Sequence, residues 1–299
     1  MKLVRKVSWV SESGYTVVFE GAGPYDSPGP YYFRELASDL GATAETTRAP
    51  RQDGVTTWHV ALDSRTVNLV GSMWVFGDRL HPAAAEYDRR RAFLSAAFAP
   101  NRWGVLTYYR EDGAVQVRCR AAATPTFGPA VGTYATIDLT LVTDSPYWES
   151  AEETVEVVGV IRKLWHFPWY PVQEPMGVYN PFAVTPNPTD VDIYPTIEVY
   201  STGQYVTVEN TDLGEFVTIE HPIAEGQKLV IDMSDVSAFL WERDGQGVYH
   251  RQEDVSHWMS LDSTPWCLKP GGNHLAIRND KPEDTPVAYI RYRVPSLGV

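Results

Sequence analysis

Short alternations of apolar and polar residues run along most of the chain and predict β-strands. Residues 3–10 and 15–20 alternate and are separated by Ser-Glu-Ser-Gly at 11–14, a pattern typical of a hairpin. Residues 133–142 alternate most regularly, so we expect a strand with one buried face and one wet face.

The same pattern predicts further strands at 56–62, 65–71, 73–76, 104–110 and 114–120. The Asp112-Gly113 pair lies between the last two of these runs and is a strong signal for a tight hairpin turn. Residues 22–55 are rich in Gly, Pro, Asp and Thr, so we interpret them as loop, with at most a short helical turn over 33–40.

One helix is predicted over 82–99. Pro82 is favoured in a first helical turn, and Pro100 ends the element. Tyr87, Leu94 and Phe98 fall on one stripe of that helix, which we expect to cover a face of the sheet. The triple arginine at 89–91 fits a solvated face that pairs with the preceding glutamate better than it fits a partner site.

A change of character follows the sequence DSPYW at 144–148. There a proline interrupts the ladder of the preceding strand and two large aromatics come next. Residues 149–192 are first acidic, then aromatic and rich in proline, and we expect an extended connector. The predicted organisation is therefore an N-terminal β domain over 1–148, the connector over 149–192, and a C-terminal domain over 193–299.

The C-terminal region contains a second series of short strand patterns with Gly, Asp or Asn between them, at roughly eight- to twelve-residue intervals. The candidates are 194–200, 204–210, 215–221, 227–233, 236–241, 247–250, 265–268, 273–279 and 287–294. This rhythm predicts an antiparallel β-sandwich.

Composition agrees with a β-rich protein that forms its own core. The chain has 299 residues, of which 43% are hydrophobic and 12% aromatic. Its net charge of −13 argues against nucleic-acid binding, because phosphate contacts need a cationic face. Cys119 and Cys267 are expected to be buried free thiols. No signal peptide or membrane-length apolar window is found, so we expect a soluble protein made in a reducing cytoplasm without membrane insertion.

Candidate chemistry is sparse. The seven histidines are scattered, and the chain has no nucleophile elbow, phosphate loop or zinc-binding pattern. We therefore assign no catalytic residue, no metal site and no cofactor. One alternative stays open: Trp241, Trp258 and Trp266 would suit a carbohydrate-binding module, and a glycan-active enzyme could draw two acids from distant strands.

The order of motifs resembles the distal tail proteins of long-tailed, siphovirus-type bacteriophages. The shared features are RTVNLVG at 65–71, a helix and strand over 91–109, VQVRCR at 115–120, the corner at 144–148 and Phe-Pro at 167–168. In the C-terminal region they are the segments 195–203, 207–215, 226–232, 267–275 and 289–298. The corner departs from the family's DPYW pattern by an inserted serine, and 274–279 does not reproduce the sugar-binding strand of galectins.

The resemblance implies a mainly β protein with an N-terminal β-barrel or sheet, one covering helix and a galectin-like C-terminal sandwich. It also implies a non-enzymatic virion component at the distal end of the tail. Its expected partners are its own copies in a hexameric ring, the tail tube protein, the tape measure protein and the tail-tip hub or adhesion proteins. The genome would pass through the ring without specific binding, and we hypothesise from the net charge of −13 that the lumen is negative.

Three groups of residues are candidates for structural or interface roles. At the corner they are Asp144, Pro146, Tyr147 and Trp148. In the connector they are Phe167, Pro168, Trp169 and Tyr170. In the turn before the last strands they are Pro270, Gly271 and Asn273. The segment 241–258 is longer than a simple hairpin requires, and no role is assigned to it.

Overall fold

A computed structural model describes residues 6–23, 25, 29–51, 53–75, 83–111, 113–129, 134–165, 176–281 and 284–298. The chain divides into two compact units: Met1–Ala151 with Ser296–Val299, and Glu152–Pro295. Both are built mainly from antiparallel strands, as the alternating patterns predict.

The first unit contains one helix and a large sheet. Its elements are β1 Lys6–Ser11, β2 Thr16–Glu20, β3 Tyr31–Thr47, β4 Thr56–Trp74, α1 Ala83–Ala97, β5 Trp103–Arg110, β6 Gly113–Ala121, β7 Thr126–Phe127, β8 Tyr134–Thr143 and β9 Trp148–Ser150. A last short strand, β22 Pro295–Ser296, pairs with β9. The main path of the sheet is β2-β1-β5-β6-β8-β4-β3.

Side-chain alternation places the core of this unit on one side of the sheet. In β8, Ala135, Ile137, Leu139 and Leu141 are buried while Asp138 is exposed, which confirms the predicted one-sided strand. The helix covers the same core, because Leu94 and Phe98 are buried and Phe98 stacks on Trp9 with ring centroids 5.1 Å apart.

On the charged side of α1 the expected pairing with Glu86 is observed, but Glu86 itself is buried and not solvated. Glu86 accepts a hydrogen bond from Arg90 Nε at 2.6 Å and pairs with Arg89 at the same distance. Arg90 Nη1 also donates to the carbonyl of Trp74 at 2.6 Å. The arginine run is therefore tied to its own helix and to the end of β4.

The loop expected over 22–55, with at most a helical turn over 33–40, is wrong over residues 31–47. Residues 31–47 form β3, which pairs antiparallel with β4 from Tyr31↔Met73 to Thr47↔Thr56. The three strands predicted over 56–76 are accordingly one long strand. Residues 42–47, the outer part of β3, are exposed on both sides, so they lack the buried alternation from which a strand is predicted.

The second unit is an antiparallel sandwich. Its strands are β10 Thr154–Val158, β11 Val160–Trp165, β12 Met176–Asn180, β13 Phe182–Asn187, β14 Thr196–Tyr200, β15 Val206–Asn210, β16 Glu215–Ile219, β17 Gln227–Asp232, β18 Ser237–Arg243, β19 Tyr249–Asp254, β20 Gly271–Asn279 and β21 Val287–Tyr292. One sheet has the order β10-β21-β14-β17-β18-β19 and the other β13-β20-β15-β16. Inward residues of both sheets, such as Ile197, Leu229, Val208 and Ile277, form one core.

The region expected to be a connector contributes to this sandwich. Two of its segments, β10 and β13, are end strands of the two sheets, while β11 and β12 pair with each other. The expected strand at 265–268 differs from the structure, where Leu268 forms only an isolated bridge to Ile193. None of the described helices has the length and apolar character needed to cross a bilayer.

Candidate functional site

A buried arginine organises the corner after β8. Arg65 lies in β4 in phase with the core residues Val67 and Leu69, so its side chain enters the protein instead of the solvent. Its Nε donates to the carbonyl of Pro146 at 2.9 Å, and its Nη2 donates to the carbonyl of Leu297 at 2.7 Å. One guanidinium thus joins β4, the corner and the chain terminus.

The oxygens that accept these bonds are neutral. Besides the two carbonyls, Arg65 Nη1 donates to Ser38 Oγ at 2.7 Å. Burial lowers the pKa of the Arg65 guanidinium, yet arginine keeps its charge because its ordinary pKa is so high. The fixed fork of donors therefore acts as a permanent cross-link between segments that are distant in sequence.

The predicted corner residues separate into buried and exposed members. Trp148 is fully buried in the core of the first unit, and its Nε1 lies 3.5 Å from Ser38 Oγ as donor. Pro146 supplies the carbonyl to Arg65, Tyr147 is half-buried and Asp144 is exposed. Arg65 was not among the candidates from the sequence, although an arginine in phase with core positions was a signal for it.

Ser145, the serine inserted into the family's DPYW pattern, stabilises the turn at the corner by hydrogen bonds. Ser145 Oγ accepts a hydrogen bond from the backbone N–H of Tyr147 at 3.2 Å, and the carbonyl of Ser145 accepts from Thr143 Oγ1 at 2.6 Å. Beside this turn lies a concavity of about 230 Å³, whose lining includes Arg118, Asp144, Tyr147 and Glu149.

The third predicted group, Pro270, Gly271 and Asn273, lies in a turn of the second unit that side-chain hydrogen bonds close. Asn273 is buried: its Oδ1 accepts from the backbone N–H of Lys269 at 2.8 Å, and its Nδ2 donates to the carbonyl of Lys269 at 2.8 Å. Asn210 Nδ2 donates to Asn273 Oδ1 at 3.3 Å. Gly271 has φ of +99°, a conformation that favours glycine, and Pro270 precedes it in the turn.

The connector candidates Phe167, Pro168, Trp169 and Tyr170 lie outside the described residues. The segment 241–258 forms β18, a turn and β19. Asp244 Oδ1 accepts from the N–H groups of Gln246 and Val248 at 2.8 Å each, and these bonds close the turn. Backbone hydrogen bonding, with the bond to Val248 as its largest cause, lowers the pKa of Asp244.

The three tryptophans considered for sugar binding have different environments. Trp266 is part of the sandwich core, and its Nε1 donates to the carbonyl of Val208 at 3.2 Å. The ring of Trp241 has Lys228 Nζ 5.5 Å from its centroid, whereas Trp258 is exposed. The three indoles differ in exposure, whereas a platform for sugar stacking would require exposed rings.

The described residues contain no group of three or more His, Cys, Asp or Glu side chains able to hold a metal ion. His250 pairs with Asp244 at 2.8 Å and His274 with Asp212 at 3.0 Å, each as an isolated exposed contact. Burial raises the pKa of the Cys119 thiol to about 12, so it stays protonated. The geometry on both turns holds chain segments together instead of converging on a substrate.

Comparisons with known proteins agree with this picture. Residues 189–293 match the family model of the siphovirus-type tail component, C-terminal domain. No curated protein sequence matches the chain. The crystal structure of SPP1 Dit, described as a paradigm of the hub adsorption apparatus in Gram-positive infecting phages, has a TM-score of 0.64 at 12% identity, covering 97% of this chain and 99% of that one.

Two structures of the phage P2 baseplate in its activated conformation, with calcium and with strontium, are also similar. Their TM-scores are 0.57 and 0.56, each at 12% identity and covering 100% of both chains. At this identity the structural likeness establishes the fold, and the family model adds the domain assignment. Residues 189–293 therefore match the C-terminal domain of the siphovirus-type tail component, and the whole chain has a fold similar to that of SPP1 Dit.

Proposed function

We propose that this protein is a distal tail protein that forms a hexameric ring between the tail tube and the host-adhesion apparatus. The first unit builds the ring, and the second unit contacts the adhesion proteins of the tail tip. The tube protein, the tape measure protein and the tip hub are the other partners. Assembly takes place in the host cytoplasm, and the mature protein lies at the distal end of the tail.

One observation carries this proposal: the likeness to SPP1 Dit extends over 97% of this chain and 99% of that one. Both units, and not the sandwich alone, therefore have counterparts in a protein described as part of a hub adsorption apparatus. A fold can host many functions, so the tail-component model over 189–293 is needed to connect this fold to a phage tail.

The site geometry supports a structural, non-enzymatic role. Arg65 and Asn273 each make several hydrogen bonds, and both donate to backbone carbonyls. These bonds join segments of the chain and do not form a binding cavity. A ring component has to keep its shape while its neighbours bind. Cross-links between distant segments serve that purpose.

The genome passes through the lumen of the proposed ring without specific contacts. The net charge of −13 favours a lumen that repels phosphate. A ring reconstruction with a net-positive lining would end this part of the proposal while leaving the ring itself intact.

Gold-labelled antibodies against the chain test the location on intact virions. We expect label confined to the end of the tail that carries the adhesion apparatus. Label along the tube, on the capsid or absent from virions would contradict the proposal. Light scattering on the purified chain provides the second arm, with six copies expected. A monomer that binds glycans on an array, together with unlabelled virions, would favour the carbohydrate-binding alternative.

A further inference from the structure

Trp258 lies exposed at the surface of the second unit, on a backbone that hydrogen bonds hold in place. It ends the short 3-10 helix Ser256–Trp258, which follows β19, and it is 45% exposed. Its N–H donates to the carbonyl of Val255 at 2.9 Å, and its carbonyl accepts from the N–H of Glu220 at 2.9 Å. Val255 is fully buried in the sandwich core, so the fold fixes the position from which the indole projects.

Two imidazoles and a carboxylate border this indole. The ring centroid of His257 lies 5.4 Å from that of Trp258, and the ring centroid of His221 lies 5.7 Å from it. His221 in turn faces the half-exposed carboxylate of Glu253. An exposed aromatic ring is therefore combined with groups that donate and accept hydrogen bonds.

The gap between His221 and Glu253 has the size of one hydroxyl group. His221 Nε2 lies 3.9 Å from Glu253 Oε2, which is too long for a direct hydrogen bond. One oxygen atom can lie about 2.8 Å from both atoms, where it accepts from the imidazole and donates to the carboxylate. The carboxylate favours the tautomer that carries its proton on Nε2, the nitrogen nearer to it. The other nitrogen, His221 Nδ1, is buried and has no hydrogen-bond partner in the described part of the chain.

We propose that Trp258, His221 and Glu253 form a binding site for a neutral saccharide. One sugar ring stacks on the indole, and one of its hydroxyl groups bridges the imidazole and the carboxylate. A saccharide combines the two properties that this site offers, because its ring has apolar C–H groups on its faces and hydroxyl groups at its edge. The carboxylate of Glu253 and the net charge of −13 disfavour an anionic ligand.

The extent of the site favours a single sugar residue over a protein partner. Both imidazole rings lie within 6 Å of the indole, centroid to centroid, whereas a stable protein interface needs about 800 Å² from each partner. The inference goes beyond the proposed function, because a tail component with this site would contact glycans of the host surface directly. A site for one sugar residue binds weakly, and repeated copies in one assembly would raise the overall avidity.

Saturation-transfer NMR on the full chain tests the site. The probes are the methyl glycosides of glucose, galactose, mannose, rhamnose and N-acetylglucosamine, with choline chloride as a cationic probe. We expect wild type to transfer saturation to at least one glycoside, and Trp258→Ala to bind that glycoside at least about tenfold more weakly. Trp58→Ala is the matched control, because it removes a 73% exposed tryptophan from the first unit and should bind as wild type does.

Transfer from wild type to none of the glycosides would overturn the inference, and so would binding that Trp258→Ala leaves unchanged or that Trp58→Ala also abolishes. Transfer to choline alone would overturn it too, because the indole would then hold a cation. If wild type bound no glycoside and Trp258→Ala were not incorporated into tails, the indole would contact a tail protein instead. The proposed function fails on a different readout, which is absence of the wild-type chain from virions.

Glu253→Ala separates the hydroxyl bridge from stacking. We expect it to weaken binding of the same glycoside about fivefold, because the bridging hydroxyl loses its acceptor. Glu242→Ala removes an exposed carboxylate from the neighbouring strand β18 and should leave binding unchanged. Thermal melting should show wild-type stability for all of these variants, because Trp258, Trp58, Glu253 and Glu242 are exposed. Unchanged binding by Glu253→Ala would overturn the assignment of a sugar hydroxyl to this gap.

Discussion

The two units treat the ends of their strands differently. In the first unit, β3 and β4 extend beyond the core as an exposed hairpin end formed by residues 42–47 and 56–62. Trp58 and Val60 of this hairpin end are exposed to solvent. In the second, the strand ends around Asn210 and Asn273 are closed by buried side-chain amides that bind backbone groups. These two strand ends of the sandwich are therefore closed by side chains of their own unit, whereas the end of the β3–β4 hairpin leaves Trp58 and Val60 in solvent.

The two units are alike in their use of one charged side chain to join several segments. Arg65 in the first unit binds two carbonyls and a hydroxyl. In the second unit the partly buried Asp284 carboxylate accepts hydrogen bonds from Ser201, Thr202 and Asn279. Removal of either charged group should therefore leave several polar groups of its own unit without that partner.

Trp148→Ala should give the largest effect. The ring is fully buried in the core of the first unit, so its loss should cost about 3–5 kcal/mol of unfolding free energy. Trp58→Ala is the matched control, because that ring is exposed and its loss should leave the unfolding free energy of the monomer nearly unchanged. Urea unfolding, fitted with one transition per unit, measures both. An equal loss of unfolding free energy in the two variants would contradict the distinction between the buried core and the exposed end of the hairpin.

Arg65→Lys should rank second, with a loss of about 2–3 kcal/mol in the first unit. A lysine ammonium cannot reproduce the fork of donors, so buried acceptors at Pro146, Leu297 or Ser38 lose their partner. Arg118→Lys serves as the control, since its contact with Glu12 is exposed. A wild-type transition for Arg65→Lys would show that the corner is held by other contacts.

Asn273→Ala should cost about 2 kcal/mol in the second unit, because the N–H and carbonyl of Lys269 lose their hydrogen bonds to the buried Asn273 amide. Gln204→Ala, at an exposed position of the same unit, should have little effect. Denaturant unfolding followed by circular dichroism reports both variants. If Asn273→Ala shifted the transition of the first unit instead, the assignment of this turn to the sandwich would be wrong.

Asp284→Asn should have the smallest effect, seen as a change in acid sensitivity. Burial raises the pKa of Asp284, but hydrogen bonds from Thr202, Ser201 and Thr285 outweigh it and hold the pKa below its usual value. A depressed folded-state pKa stabilises the fold above the unfolded value near 3.8, and this contribution is lost as pH falls through the folded value. Melting temperatures between pH 7 and pH 3 should therefore fall less steeply for Asp284→Asn. An unchanged slope would contradict this role.

The sequence predicted the elements whose burial follows a simple period. The strand β8 alternates strictly, and α1 combines an initial proline with the buried stripe of Leu94 and Phe98. The family resemblance was confirmed because it depended on the order of many motifs along the chain. It did not depend on any one residue.

The elements that the sequence missed lack that period. Residues 42–47 are exposed on both sides, so neither a buried face nor a turn signal marks them as strand. Their alanines and threonines are compatible with both loop and sheet, and the deciding factor is the partner strand β4. Arg65 was missed as an anchor for a related reason, because its partners at Ser38, Pro146 and Leu297 are brought together only by the tertiary fold.

The most direct test of the account is a cryo-electron microscopy reconstruction of the adhesion end of intact tails. We predict six copies of this chain in one ring between the tail tube and the adhesion apparatus. A reconstruction that places the chain as separate copies outside any ring would contradict the account.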